Sequence, residues 1–116
     1  LGERTAVYGE RIVVFAKRFD HDVVNRVLTQ QIVRSGTSIG ANYAEADGAE
    51  SKMDFRHKIA LCKKEAKETM HWLRLLAKAN PEHADACRDL WKETHELTLI
   101  FSAILRAKER ANVHVV

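Results

Sequence analysis

The sequence predicts an all-α protein folded as an up-down antiparallel four-helix bundle, and three observations carry that prediction. Hydrophobic residues make up 46% of the chain and charged residues 30%, with a single proline, a composition that suits a packed helical domain better than a disordered or all-β one. Apolar residues recur at a period near 3.6 in four segments, so each segment has one stripe to bury. The connections between those segments are short, which forces consecutive helices to lie antiparallel. With 116 residues, the chain is read as one domain, 1–116, enough for a single core.

The first helix is expected over 3–19, where Tyr8, Ile12, Phe15 and Phe19 share a face. Asp20, His21 and Asp22 supply N-cap candidates for the second, 22–47, which turns Val24, Leu28, Ile32, Ser35, Ile39 and Asn42 inward. Ser51 followed three residues on by Asp54 resembles a capping box, with Asp in place of Glu or Gln, and opens the third helix, 51–79. That helix buries Phe55, Ile59, Cys62, Ala66, Leu73 and Leu76. Asn80-Pro81-Glu82 joins a cap, a first-turn proline and an early acid at the start of the fourth helix, 81–110. Its inner face is Leu90, Thr94, Leu97, Phe101, Ile104 and Leu105, and residues 111–116 are expected to fray.

The stretch RSGTSIGANYAEADGAE, 34–50, holds three of the five glycines. A phosphate loop needs GxxxxGK[ST] after a strand and a dinucleotide loop needs GxGxxG; this stretch has neither. Two glycines inside a helix cost about 1 kcal/mol each against alanine, so a continuous helix through Gly36 and Gly40 implies that another backbone comes close there. The alternative is a break between two shorter helices. From Val27 to Ala44 the only charged residue is Arg34, and a helix without a solvated face is covered on more than one side. A neighbouring subunit is the expected cover, with Gly36 and Gly40 at that contact. Arg34, Ser35, Ser38, Asn42 and Glu45 are read as a buried polar network that sets helix register through hydrogen bonds.

Cys62 and Cys87 lie far apart with no CxxC spacing, so they are read as core hydrophobes of a reducing, cytoplasmic environment rather than disulfide or zinc residues. No leader pattern and no run long enough to span a bilayer is visible. No cofactor, metal or small-molecule substrate is indicated.

Charge is unevenly placed. Residues 1–49 carry six basic and six acidic groups, residues 50–78 eight and four, and residues 80–116 five and six. On a helical projection Arg56, Lys63, Lys67, Arg74 and Lys78 form one stripe about 33 Å long. Such a stripe can track phosphates without reading sequence, although a solvated helix face also exposes lysine. A second strip of the same helix, Leu61, Glu65, Glu68 and Trp72, sits away from the core face and reads as a subunit-interface anchor, with Val7 and Val14 covered by the same contact.

Two short motifs bear on enzyme chemistry. Glu68-Thr-Met-His71 matches the ExxH of di-iron bundles, but the second ExxH and two further glutamates are missing. Arg88 and His95, seven residues apart on one face, resemble the Arg-x4-6-His motif of HEPN ribonucleases, where arginine neutralises phosphate and histidine transfers protons. This ribonuclease reading is the alternative to a non-catalytic one.

The strings IVRSGTSIGANYAEA and DFRHKIALCKKEAKETMHWLRLL resemble the four helix bundle protein family, also called 23S rRNA intervening-sequence proteins. Arg34, Ser35, Ser38, Ile39, Asn42 and Glu45, then Phe55, Glu65, Glu68, Trp72 and Leu73, stand where that family's pattern has them. The resemblance implies a bacterial four-helix bundle assembling as a homopentameric ring, with no established enzymatic activity. A more distant resemblance, to the accessory variability determinant of diversity-generating retroelements, implies binding of RNA or DNA, although the pattern differs in the centre. The expected partners are therefore further copies of the chain and nucleic acid, not a membrane.

Overall fold

The computed structural model describes the backbone of residues 1–114 and the side chains of residues 1–107. Four helices follow in order, α1 (Gly2–Ala16), α2 (Val23–Asp47), α3 (Lys52–Ala79) and α4 (Ala84–His114), with a 3-10 turn at Pro81–His83 before the last. Each packs on the next in sequence, giving a rod of 55 × 21 × 20 Å. α4 runs on past Arg110 because the chain after Leu105 is rich in Ala, Lys, Arg and Glu and has no Gly or Pro to stop it. Positions 115 and 116, the end of the segment expected to fray, lie outside the described residues.

Local chemistry sets the helix ends. The Asp22 carboxylate accepts the Asn25 backbone N–H at 2.7 Å, and the Ser51 hydroxyl accepts that of Asp54 at 3.0 Å; caps of this kind contribute about 1 kcal/mol each. α1 stops three residues earlier than expected, tightened by Lys17 and Arg18 N–H bonds to the Val14 and Phe15 carbonyls. Phe19 is nevertheless buried from the loop, edge-on to Phe15 and to His83 of the opposite connection, with ring centroids 4.9 and 5.0 Å apart. The core below it runs through Ile12, Ile32, Ile39, Ile59, Leu73, Leu76, Leu97 and Phe101, all sealed from solvent. Burial of each such side chain contributes roughly 1.5–3 kcal/mol.

α2 is unbroken through Gly36 and Gly40, and the cause of their smallness is now visible. A Cβ on Gly36 would lie 2.8 Å from Cγ1 of Ile12, and one on Gly40 would lie 3.2 Å from the Thr5 carbonyl oxygen. What comes close is α1 of the same chain, by the Ile12 side chain at Gly36 and by backbone at Gly40, so the smallness of the two glycines has a cause without a second subunit. Gly36 lies three residues before Ile39 and four after Ile32, so it shares their flank of the helix rather than opposing it. Val24 also departs from expectation. It is exposed, and the neighbouring Asn25 is buried in its place.

Asn25 enters the interior because it has a matched partner. Its Nδ2 donates to Oδ1 of Asn80 at 2.9 Å, and Nδ2 of Asn80 returns a bond to Asn25 Oδ1 at 2.8 Å. Further bonds to the Asp20 and Leu76 carbonyls satisfy the remaining amide protons. This clamp ties the start of α2 to the end of α3. At the seam between α1 and α4, Thr94 directs its proton to the Leu90 carbonyl at 2.6 Å, which leaves the Tyr8 hydroxyl as donor across the 2.5 Å bond to Thr94. Burial raises the Tyr8 pKa and keeps the phenol protonated.

Candidate nucleic-acid interface

α3 carries its charges on two edges, and the bundle treats them differently. The edge toward α2 holds Leu61, Glu65, Glu68 and Trp72, all partly covered. Arg34 of α2 reaches across to Glu65 at 3.2 Å and pairs with Glu68 through its other terminal nitrogen. Glu68 Oε2 also accepts the Trp72 indole N–H at 3.0 Å. The structure thus joins Arg34, read from sequence as part of a buried network, to the strip read as a subunit anchor. Trp72 packs against the edge of the core of its own chain, so its burial does not require another subunit.

The polar residues of α2 do not form the single buried network that sequence suggested. Of Arg34, Ser35, Ser38, Asn42 and Glu45, Ser35 alone is fully buried; its hydroxyl bonds that of Thr69 of α3 at 2.8 Å, and Thr69 also reaches the Glu65 carbonyl. Ser38 donates to the Arg34 carbonyl and Asn42 to the Ser38 carbonyl, both within α2. Arg34 and Glu45 are exposed, and Glu45 pairs with Lys58 at 2.6 Å. The reason is the four-residue spacing of Arg34, Ser38 and Asn42, which lets Ser38 and Asn42 each answer a carbonyl of the preceding turn of their own helix.

The outer edge of α3 presents Lys63, Lys67, Arg74 and Lys78. None of these four makes an ion pair among the described residues. Arg56 does not belong with them: it is partly buried, and its guanidinium donates to the Leu105 carbonyl of α4 at 2.9 Å. The stripe is thus one residue shorter than sequence suggested, because a long side chain near the start of α3 finds a carbonyl on the adjacent helix.

Beside this edge α4 supplies groups that sequence reading did not add to the stripe. Arg74, Arg88 and Trp91 flank a groove of about 240 Å³ whose other walls are Leu73, Ala77, Ala84 and Cys87. Trp91 is 38% exposed and stacks on His95, with centroids 5.1 Å apart and planes 18° from parallel. The only hint in the sequence was the spacing of Arg88, Trp91, Lys92 and His95, one turn apart along α4. Two acidic residues of α4 face the other way: Glu93 and Glu96 are held by Arg4 of α1 through bonds of 2.7 to 2.9 Å. The hydrogen bond from Arg4 holds the Glu93 carboxyl below its ordinary range.

The arginine and histidine of the ribonuclease alternative make no hydrogen bond to each other among the described residues. Arg88 is bound to Asp85 at 3.0 Å, His95 lies against Trp91, and His95 is not among the residues of the groove that Arg88 lines. Cys62 and Cys87 are buried, and burial raises both thiols to about 11, so they stay protonated near neutrality. Among the described residues no cluster of His, Cys, Asp or Glu is placed to hold a metal ion, and no helix is long and apolar enough to cross a membrane.

Comparison with known proteins places this geometry. The family model described as 23S rRNA-intervening sequence protein matches residues 3–103. A solved structure from Bacteroides thetaiotaomicron VPI-5482, described as a protein of unknown function from the S23 ribosomal protein family, is 33% identical. It superposes with a TM-score of 0.82 over 90% of this chain and 96% of that one. No curated protein matches the chain.

Proposed function

Because the chain belongs to the 23S rRNA-intervening sequence protein family, we propose that it is a non-enzymatic, cytoplasmic, homo-oligomeric bundle that binds the nucleic-acid backbone through the outer edge of α3. The observation that carries this reading is the division of charge on α3. Glu65 and Glu68 are both engaged by Arg34 on one edge, while among the described residues Lys63, Lys67, Arg74 and Lys78 stand without an ion pair on the other. Cations left free along one line release counterions when they meet phosphates, and that release favours binding at low salt. Four contacts per protomer correspond to a slope of log affinity against log salt of about −3 to −4, and assembly multiplies the contacts.

Oligomerisation, with a pentamer as the expected ring, is supported by apolar side chains that the monomer leaves open. Val7 and Val14 on α1, and Val23, Val24 and Val27 on α2, are all exposed, and each represents apolar area that association removes from water. Light scattering on the purified chain is expected to return about five times its 13.2 kDa. A single chain's mass at micromolar concentration removes this part of the reading.

The binding part is tested by filter binding of RNA and DNA over a salt series. The expected result is affinity that falls steeply with salt, drops at least tenfold in a Lys63→Glu, Lys67→Glu double variant, and survives His95→Ala. Time-dependent RNA cleavage abolished by His95→Ala would establish the ribonuclease alternative instead. Absence of binding at low salt would leave a protein-interaction scaffold.

A further inference from the structure

We infer that the groove between α3 and α4 is a base-stacking site for single-stranded nucleic acid, with Trp91 as its platform and Arg74 and Arg88 holding the phosphates on either side. The inference rests on the backbone-binding reading above and adds to it a choice between single and double strands. An exposed tryptophan on a charged helix face is unusual in itself, since the indole is the largest apolar side chain to leave in water. Here the ring is not isolated. His95 lies flat against it, and the ring also walls a groove whose floor is Leu73, Ala77 and Cys87. A planar base entering from the solvent side meets apolar surface below and an aromatic plane beside it.

The flanking charges fit the same occupant. Arg74 is exposed and unpaired among the described residues. Arg88 is exposed and holds only Asp85, a residue one turn away and itself almost fully in solvent, and such an exposed pair gives way readily to a phosphate. Lys78 lies one turn beyond Arg74 on α3 and Lys92 one turn beyond Arg88 on α4, so the cationic track continues on both walls. Apart from Asp85, the acids of α4 nearest the groove are engaged elsewhere: Glu93 and Glu96 are drawn to Arg4, and Asp89 lines the opposite groove with α1. In a duplex the bases are already stacked and cannot reach Trp91, so only a single strand can use the platform.

The two tryptophans of the chain make the test direct. In a Trp72→Phe variant, Trp91 is the sole indole, and a single-stranded homopolymer of about 20 nucleotides is expected to quench its fluorescence while a duplex of equal length does not. In the otherwise native protein, Trp91→Leu should weaken single-strand binding by about fivefold or more and change duplex binding by less than about twofold, and Trp91→Phe should restore most of the loss. Three outcomes overturn the inference. Equal affinity for both strands that is indifferent to Trp91→Leu, with no quenching, removes the stacking site and leaves backbone binding standing. Duplex binding weakened as much as single-strand binding by Trp91→Leu assigns the residue a structural role. No binding of either strand at low salt removes the backbone reading and the stacking site together.

Discussion

The seams on the two sides of α3 are built from similar residues and reach opposite ends. Toward α2 the seam is closed along its length by polar pairs, from Asn25 with Asn80, through Arg34 with Glu65 and Glu68, and Ser35 with Thr69, to Glu45 with Lys58. Toward α4 the helices share apolar core and Arg56 bonds the Leu105 carbonyl near one end, but farther along Arg74 and Arg88 flank an open groove. Their tryptophans differ accordingly. Trp72 gives its indole N–H to Glu68, whereas the indole N–H of Trp91 has no partner among the described residues. Opposite charges in reach across one seam, and like charges across the other, make the difference. The first seam resists being opened and the second has unused chemistry.

Substitutions should therefore act on stability at one seam and on binding at the other. The largest expected loss follows Asn80→Ala, which strands the buried Asn25 amide; about 2 kcal/mol should disappear from the urea unfolding free energy. A loss under about 0.5 kcal/mol would mean that the clamp is not what ties α2 to α3. Arg34→Met comes next. It leaves Glu65 and Glu68 without their cation, and a cost of about 1 kcal/mol is expected, since the pairs are half exposed. At the α4 seam, Arg74→Ala should change stability by no more than about 0.5 kcal/mol while weakening nucleic-acid binding severalfold; equal stability losses from Arg34→Met and Arg74→Ala would erase the contrast.

The smallest effect concerns the seam between α1 and α4, where an ion pair at the edge joins the buried bond between Tyr8 and Thr94. The Glu93 carboxyl is held below its ordinary range in the folded state, so it binds fewer protons there than in the unfolded chain. Its contribution is then complete above the ordinary carboxylate range, about pH 4.3, and is lost as pH falls through the depressed folded value. Glu93→Gln should flatten that acid limb in unfolding curves measured from pH 6 down to pH 3. The Asn25 with Asn80 clamp should show no such slope, because neither amide titrates in that range.

Much of the fold was legible because it depends on neighbours in sequence. Asp22 and Ser51 act as caps through backbone groups three residues away, and the apolar stripes of α1, α3 and α4 follow from a fixed helical period. The unbroken course of α2 through Gly36 and Gly40 was legible too. What those glycines face was not: a missing side chain records that something comes close, not whether it belongs to the same chain. Phe19 was expected inside on a helix and is inside on a loop. Arg56 was assigned to the stripe by its projection angle, and the Leu105 carbonyl that captures it is 49 residues away.

By itself the sequence determined four helices, the caps Asp22 and Ser51, the core stripes and the line of basic residues on α3. Each rests on spacing within one helix, where a constant rise and turn convert residue number into position. Only the tertiary structure decided which helix fills the space at Gly36, that Asn25 rather than Val24 is buried, that Arg34 engages both Glu65 and Glu68, and that Trp91 and Arg88 stand beside Arg74. Those facts depend on which faces of separate helices meet. Side-chain packing and the need of every buried polar group for a partner settle that meeting, and no spacing along the chain encodes it.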